Sequence, residues 1–284
     1  MRAFRDFFYG NWFYGICAVA LTIEAALQQE IPVPAFPYML MLAVGTVLFY
    51  THAYRQGSGS DERSIWYGRH HDAIGYRQIL LAGVLAMAFV IGLVRNVIAW
   101  QDLPLLAIFP LIAGAYYGSG RWSLRRSGLV KPFIIGLVWA GVVTWHPVVL
   151  HAGMDGLLCD DRSLRLFLKN LLFILLLCIL FDIKDQADDH RHALRTVVVE
   201  RGLRSTLFHV VVPLCVLGCV AFLVLAFSQA FSWQRVLLNI VPFVAFISVA
   251  LALRRKRSLM FYLVVVDGLM LLKAICGSLA MRWP

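Results

Sequence analysis

Long apolar stretches separated by short polar connections run along the whole chain. About twenty apolar residues in a helix cross the hydrocarbon core of a bilayer. Nine stretches approach this length, so the pattern predicts nine transmembrane helices and an all-α fold. They lie at about 11–28, 36–54, 78–98, 103–118, 131–149, 164–184, 206–229, 233–253 and 258–281.

The composition supports a membrane protein with several spans. Of the 284 residues, 61% are hydrophobic and 15% are charged, whereas soluble domains are about half apolar and a quarter charged. The connections are too short to form a separate soluble domain. We therefore expect residues 1–284 to form one helical membrane domain.

The positive charges lie mainly in alternate connections, although the net charge of the whole chain is +10. Lys and Arg are enriched in cytoplasmic loops, so this distribution predicts a cytoplasmic amino terminus. We expect an integral protein of the bacterial inner membrane, with its functional site on the cytoplasmic side. Topology and attraction to anionic lipid account for the charge without nucleic acid, and the sequence has no phosphate-binding or dinucleotide-binding glycine motif.

A cluster of carboxylates directly follows the apolar run at 171–181. If the sixth span continues as a helix, Asp182, Asp185 and Asp189 share one face, because they are separated by three and then four residues. Such a face suits Mg²⁺, which is usually held by one or two carboxylates together with substrate phosphates. Alternatively, these residues are solvated charges at the helix end that pair with neighbouring Lys and Arg side chains.

The segment 182–191, with the sequence DIKDQADDHR, resembles the second aspartate-rich motif of the UbiA family of intramembrane prenyltransferases. The nine predicted spans and the cytoplasmic amino terminus are similar to that family as well, so the resemblance covers nearly the whole chain. It implies that Asp182, Asp185 and Asp189 are catalytic and bind Mg²⁺, which bridges to the diphosphate of a polyprenyl donor.

The first motif of the family is not kept. Its N-x-x-x-D-x-x-x-D pattern would align with Thr51, Arg55 and Gly59, none of which is a carboxylate. Asp61 or Glu62 is a candidate for a displaced carboxylate. A basic side chain near the end of the second span could contact the diphosphate directly, since Arg binds phosphate oxygens in bidentate fashion. The candidate substrate-binding residues are His52, Arg55, Lys131, Arg195 and Asp267.

Several polar residues interrupt the predicted spans. Charges inside a membrane are expensive, so we expect Glu24 and Asp267 to face the interior of the bundle. They either line the substrate cavity or pair with polar groups of neighbouring helices. Asn170 and Lys273 fall in the same class, and Lys131 at the start of the fifth span is either a topology charge or a diphosphate contact.

The sequence thus leads to three functional hypotheses. The first is Mg²⁺-dependent transfer of a polyprenyl group from its diphosphate to an aromatic or lipid acceptor inside the membrane. The second is a relative that binds a prenyl lipid without turnover, because half of the expected site is missing. The third is an ion-coupled transporter that uses Glu24, Asp267 and the aspartate face.

Overall fold

The computed structural model describes six stretches of the chain, and within them every regular element is helical. Inside these stretches, the side chains of residues 155, 158 and 187–191 are not described. The predicted all-helical fold is therefore confirmed for the described residues. They are residues 2–55, 62–117, 130–158, 161–191, 196–255 and 257–282.

The helices follow the apolar stretches of the sequence closely. The long ones are separated by short connections, some of which contain a short helical piece. In chain order the helices are α1 (Arg2–Tyr9), α2 (Trp12–Gln28), α3 (Phe36–Arg55), α4 (Glu62–Arg69), α5 (His71–Val94), α6 (Leu103–Tyr117), α7 (Val130–Met154), α8 (Asp161–Arg191), α9 (Val197–Arg201), α10 (Leu203–Ser228), α11 (Trp233–Ala252) and α12 (Leu259–Arg282).

Seven helices of the described residues are long and apolar enough to cross a membrane. They are α3, α5, α7, α8, α10, α11 and α12. Helices α1 and α2 together provide an eighth candidate, although they meet at an angle of 62°. Helix α6 has 15 residues and a length of about 22 Å, which is short for a hydrocarbon core of about 30 Å. The ninth span and the orientation of the chain stay predictions.

Two helices form the centre of the bundle. Helix α2 packs against α3, α7 and α12, while α8 packs against α7 and α10 and also contacts α12. Helix α8 is the most buried of the candidate spans, because 67% of the residues in its apolar segment are buried inside the protein. Its carboxylates therefore extend from the most deeply packed helix of the fold.

The bend between α1 and α2 depends on Asn11. Its backbone is left-handed, with φ of 65°, and its buried side chain donates to Thr51 over 3.1 Å and to Tyr67 over 2.7 Å. Asn tolerates this conformation better than most residues. The bend is thereby connected to α3 and α4.

Arg63 in α4 is buried, although it belongs to one of the basic connections between the apolar stretches. It is 2% exposed. Its guanidinium lies 3.6 Å from the centre of the Tyr54 ring and donates to the side chain of Asn11. Aromatic faces and buried acceptors attract a desolvated guanidinium, and charge counting along a sequence does not register this.

Candidate functional site

Helix α8 continues well past the apolar run and ends at Arg191. This continuation was the condition for a carboxylate face, and it is confirmed. The backbone places Asp182, Asp185 and Asp189 at helical positions on one side. The side chain of Asp189 lies outside the described residues, as does the whole of Arg195.

Asp182 is buried and paired with Lys131 at the start of α7. The Lys131 Nζ donates to Asp182 Oδ1 over 2.6 Å, and the two side chains are 24% and 3% exposed. The other oxygen, Oδ2, is buried and has no hydrogen-bond partner among the described residues. A buried carboxylate oxygen without a donor is costly, so Oδ2 is a place where a ligand would be stabilised.

Asp185 lies one turn further along α8 and is more accessible. Its side chain is 36% exposed and pairs with Lys184 over 2.9 Å. Asp182, Asp185, Lys131 and Lys184 are called the carboxylate site below, and the end of the bundle that contains them is called the carboxylate end. Within the site two negative charges face two positive charges.

Carboxylate oxygens at this position fit a hard divalent cation. Oδ2 of Asp182 lacks a donor, and Asp185 is open to water. The described side chains contain no group of three His, Cys, Asp or Glu residues that could hold a metal without other ligands. A cation here would therefore depend on additional oxygens such as those of a substrate phosphate, which is how Mg²⁺ is commonly bound.

The end of α3 is occupied by bonds within the protein. Thr51 accepts from Asn11 and, over 3.3 Å, from Arg77. Arg55 donates to Gln78 and bonds to His71 over 2.9 Å. No carboxylate stands on the described turns of α3 at this end.

The remaining candidates near α3 have different positions. His52 is exposed on the outer face of α3. Glu62 accepts a bond from Tyr9 over 3.1 Å, so it ties α4 to α1. Asp61 lies outside the described residues. A displaced carboxylate supplied by Asp61 or Glu62 therefore stays a prediction.

Asp267 faces the interior, as expected, but its partner is not basic. The hydroxyl of Tyr14 donates to Asp267 Oδ2 over 2.7 Å, and Asp267 is 5% exposed. Tyr14 also stacks on Tyr50, with ring centroids 4.3 Å apart. This contact matches the alternative in which Asp267 pairs with a polar group of a neighbouring helix, here a tyrosine on α2.

An apolar cavity of about 670 Å³ lies between α3, α5, α6 and α7. Its end nearer the carboxylate site is lined by Tyr50, Trp139 and Tyr116. Ile134 and Ile135 also line the cavity and stand one turn after Lys131 on α7, so this end of the cavity lies close to the Lys131–Asp182 pair. Trp139 donates to the Tyr50 hydroxyl over 2.8 Å.

A second charged cluster lies at the opposite end of the bundle. Glu24 of α2 binds Lys273 of α12 over 2.5 Å and Lys169 of α8 over 3.4 Å. Gln28 donates to Glu24 and to Asn239, each over 2.9 Å, and accepts from Lys169 over 2.6 Å. These five residues are called the buried ionic network.

Within this network Glu24 pairs with polar groups of neighbouring helices, which is the structural one of its two expected roles. Glu24 is 0% exposed, and both of its oxygens are bonded to lysines. Lys169 was missed by the sequence reasoning, although a lysine inside the apolar stretch 164–184 is as unusual as Glu24 itself. Asn170 beside it donates to Thr144 over 2.8 Å.

Comparison with solved structures gives a match to a digeranylgeranylglyceryl phosphate synthase in membranes. The match covers 99% of this chain and 100% of that chain, with a TM-score of 0.57 and 15% sequence identity. At this identity the likeness shows a shared fold. No protein-family model matches the sequence, and no curated protein matches it.

Proposed function

We propose that the protein is a divergent UbiA-like prenyltransferase that moves a polyprenyl group from its diphosphate to an acceptor inside the membrane. The structural neighbour is a UbiA-family prenyltransferase, and the fold match extends over the whole chain. The observation that carries the proposal is the carboxylate site. Its buried, unsatisfied Asp182 Oδ2 lies on the aspartate face, next to the end of a large apolar cavity.

The reaction would break the bond between the first carbon of the prenyl group and the diphosphate oxygen. A new bond forms between that carbon and the acceptor, the diphosphate leaves with the bonding electron pair, and the acceptor loses a proton. Positive groups near the leaving diphosphate stabilise its developing charge. Lys131 and Lys184, which pair with Asp182 and Asp185, are the proposed cations.

Asp182 and Asp185 would hold Mg²⁺ together with the diphosphate, with Asp189 as a further proposed ligand. When bound, the metal neutralises phosphate charge and orients the leaving group. Lys131 then has a second function. It balances the charge of Asp182 in the free protein, and it would turn towards the diphosphate once the donor is bound.

The apolar cavity protects the reaction from water. Its walls near the site are formed by Tyr50, Trp139 and the aliphatic side chains of Ile134 and Ile135. An allylic cation reacts with any nearby water, so a dry wall favours the acceptor instead. Aromatic faces also stabilise positive charge, which suits Tyr50 and Trp139 to this position.

The test is release of diphosphate by the purified protein from geranylgeranyl diphosphate and longer donors. We expect release that requires Mg²⁺ and an acceptor, and that is lost in Asp182→Asn and Asp185→Asn. Asp161→Asn is the matched control, because Asp161 is at the other end of the same helix and its side chain is 89% exposed. Absence of both donor binding and turnover over a broad acceptor panel would contradict the proposal.

A second candidate is a relative that binds a prenyl lipid and does not turn it over. It is favoured by the end of α3, where Thr51 and Arg55 are bonded to neighbouring side chains. The described turns of α3 at this end carry no carboxylate that could bind a second metal opposite the aspartate face. Donor binding that survives removal of Mg²⁺ and gives no product would favour this candidate.

A further inference from the structure

The apolar cavity has a polar floor at the end away from the carboxylate site. Tyr38 and Tyr50 both line the cavity and are twelve residues apart on α3, which corresponds to about 18 Å along the helix. The cavity therefore reaches from the carboxylate site deep into the opposite half of the bundle. Tyr38 and His146 line this far end.

Tyr38 and His146 form a buried pair. The Tyr38 hydroxyl lies 2.9 Å from His146 Nδ1, and the two residues are 5% exposed each. The other ring nitrogen, Nε2, is buried and has no hydrogen-bond partner among the described residues. Polar groups at membrane depth are expensive when unsatisfied, so this nitrogen needs an explanation.

The backbone around His146 is also unusual. Residues Gly141–Trp145 form a π turn inside α7, and His146 follows it directly. The ring of Phe109 packs against this turn, so closely that a Cβ on Gly141 would lie 2.1 Å from it. Single π turns within helices occur frequently at functional sites. This one changes the direction in which the His146 side chain points from the helix.

Two other polar side chains in the cavity wall, Thr46 and Tyr50, already have hydrogen-bond partners. The hydroxyl of Thr46 donates to the Leu42 carbonyl over 2.7 Å, and Tyr50 accepts from Trp139. His146 Nε2 is therefore an unused hydrogen-bonding position beside an otherwise apolar space. Either tautomer leaves this position open, as a donor or as an acceptor. A hydroxyl group can meet both cases, because it donates and accepts.

We propose that the far end of the cavity binds the hydroxyl group of a long-chain lipid alcohol, with the apolar chain extending towards Trp139. Nε2 of His146 bonds to the hydroxyl after a small movement of the ring into the cavity. The site needs neither diphosphate nor Mg²⁺. It therefore stands independently of prenyl transfer.

The test compares a bromine-tagged dodecanol with the matching bromododecane, both added to the purified protein in detergent. Bromine quenches indole fluorescence on contact, so binding is followed through Trp139, and a Trp139→Phe variant identifies its signal. We expect the alcohol to bind roughly three- to tenfold more tightly than the hydrocarbon, the effect of one net hydrogen bond. His146→Phe abolishes this preference.

Two further variants keep the result interpretable. His146→Gln can still donate and accept, so the preference for the alcohol is retained. Thr46→Val removes another hydroxyl from the same wall, but one already bonded to its own helix, and leaves the preference unchanged. All ratios are measured in the same detergent and divided by the ratio of the two probes' partition coefficients into protein-free micelles, so they can be compared between probes as well as between variants.

Equal binding of alcohol and hydrocarbon by the unmodified protein would overturn the proposal. So would a folded His146→Phe variant that retains the preference. If His146→Phe does not fold, the ratio for the unmodified protein and for His146→Gln decides the question. Asp182→Asn leaves the preference intact, so failure of prenyl transfer and failure of this binding site are separate outcomes.

Discussion

The two lysine–carboxylate clusters differ in how completely their carboxylates are bonded. In the buried ionic network both oxygens of Glu24 are bonded to lysines, and Glu24 has no exposed surface. In the carboxylate site Asp182 uses one oxygen and Asp185 is open to water. Both clusters place ions within a membrane bundle, but only the second has capacity left for a ligand.

This difference separates a structural role from a binding role. A closed network connects four helices, α2, α8, α11 and α12, through bonds that no ligand needs to complete. Such networks become very costly when one charge is removed, because its partners stay buried. In an open site, removal of a carboxylate should weaken ligand binding more than it lowers the stability of the fold.

The largest effect is expected for Glu24→Gln. The substitution keeps the size of the side chain but leaves Lys169 and Lys273 buried without a counter-charge. Breaking a buried ion pair on one side costs about 3–5 kcal/mol. Chemical unfolding in detergent measures this loss, and the double variant with Lys273→Met should recover part of it. Stability unchanged in Glu24→Gln would refute the structural role of the network.

Asp182→Asn should have the next largest effect, and on activity instead of stability. Loss of the charge at the proposed diphosphate site should lower kcat/KM about 100-fold or more. Stability should fall by no more than about 1 kcal/mol, because the partly exposed Lys131 can turn to water. Prenyl transfer and chemical unfolding are measured on the same preparation. A large loss of stability would place Asp182 with the structural ions instead.

The sequence predicts the fold better than it predicts the bonding of its polar residues. Apolar length located the seven long helices of the described residues, since twenty apolar residues in a row have few alternatives to a membrane helix. The spacing of Asp182 and Asp185 predicted a shared face only on condition that the helix continues past the apolar run, which it does. The partners of Asp182 and Asp267 were not, because Lys131 is 51 residues away and Tyr14 is 253 residues away. Long-range pairing is set by packing.

Local patterns also hide burial. Arg63 stands among polar residues and has the sequence environment of a solvent-facing charge, yet Tyr54 and Asn11 enclose it. Lys169 presents the opposite case, a charge inside an apolar run whose acceptors come from α2. The unsatisfied nitrogen of His146 has no sequence signal at all, since it depends on the π turn and on Tyr38 from another helix.

Gly277→Ala tests how tightly the buried ionic network is enclosed. A Cβ at this position of α12 would lie 2.5 Å from Glu24 Oε1 and 2.8 Å from Gln28 Nε2. Overpacking of this kind costs about 1–3 kcal/mol, measured by chemical unfolding. Gly83→Ala in α5 is the control, because a Cβ there meets nothing within 4 Å. Equal stability of the two variants would indicate that Glu24 and Gln28 can shift to accommodate the added methyl group at little cost.

The smallest effect is expected for Lys184→Gln in the carboxylate site. Lys184 and Asp185 are 18% and 36% exposed, and a pair in contact with water contributes about 0–1 kcal/mol. Unfolding free energies of this variant and of the unmodified protein should therefore agree within about 1 kcal/mol, and their difference should shrink further at high salt. Donor binding should nevertheless weaken in Lys184→Gln if this cation contacts the diphosphate. A loss of stability as large as that of Glu24→Gln would remove the distinction between an open and a closed cluster, because both would then act as structural ion pairs.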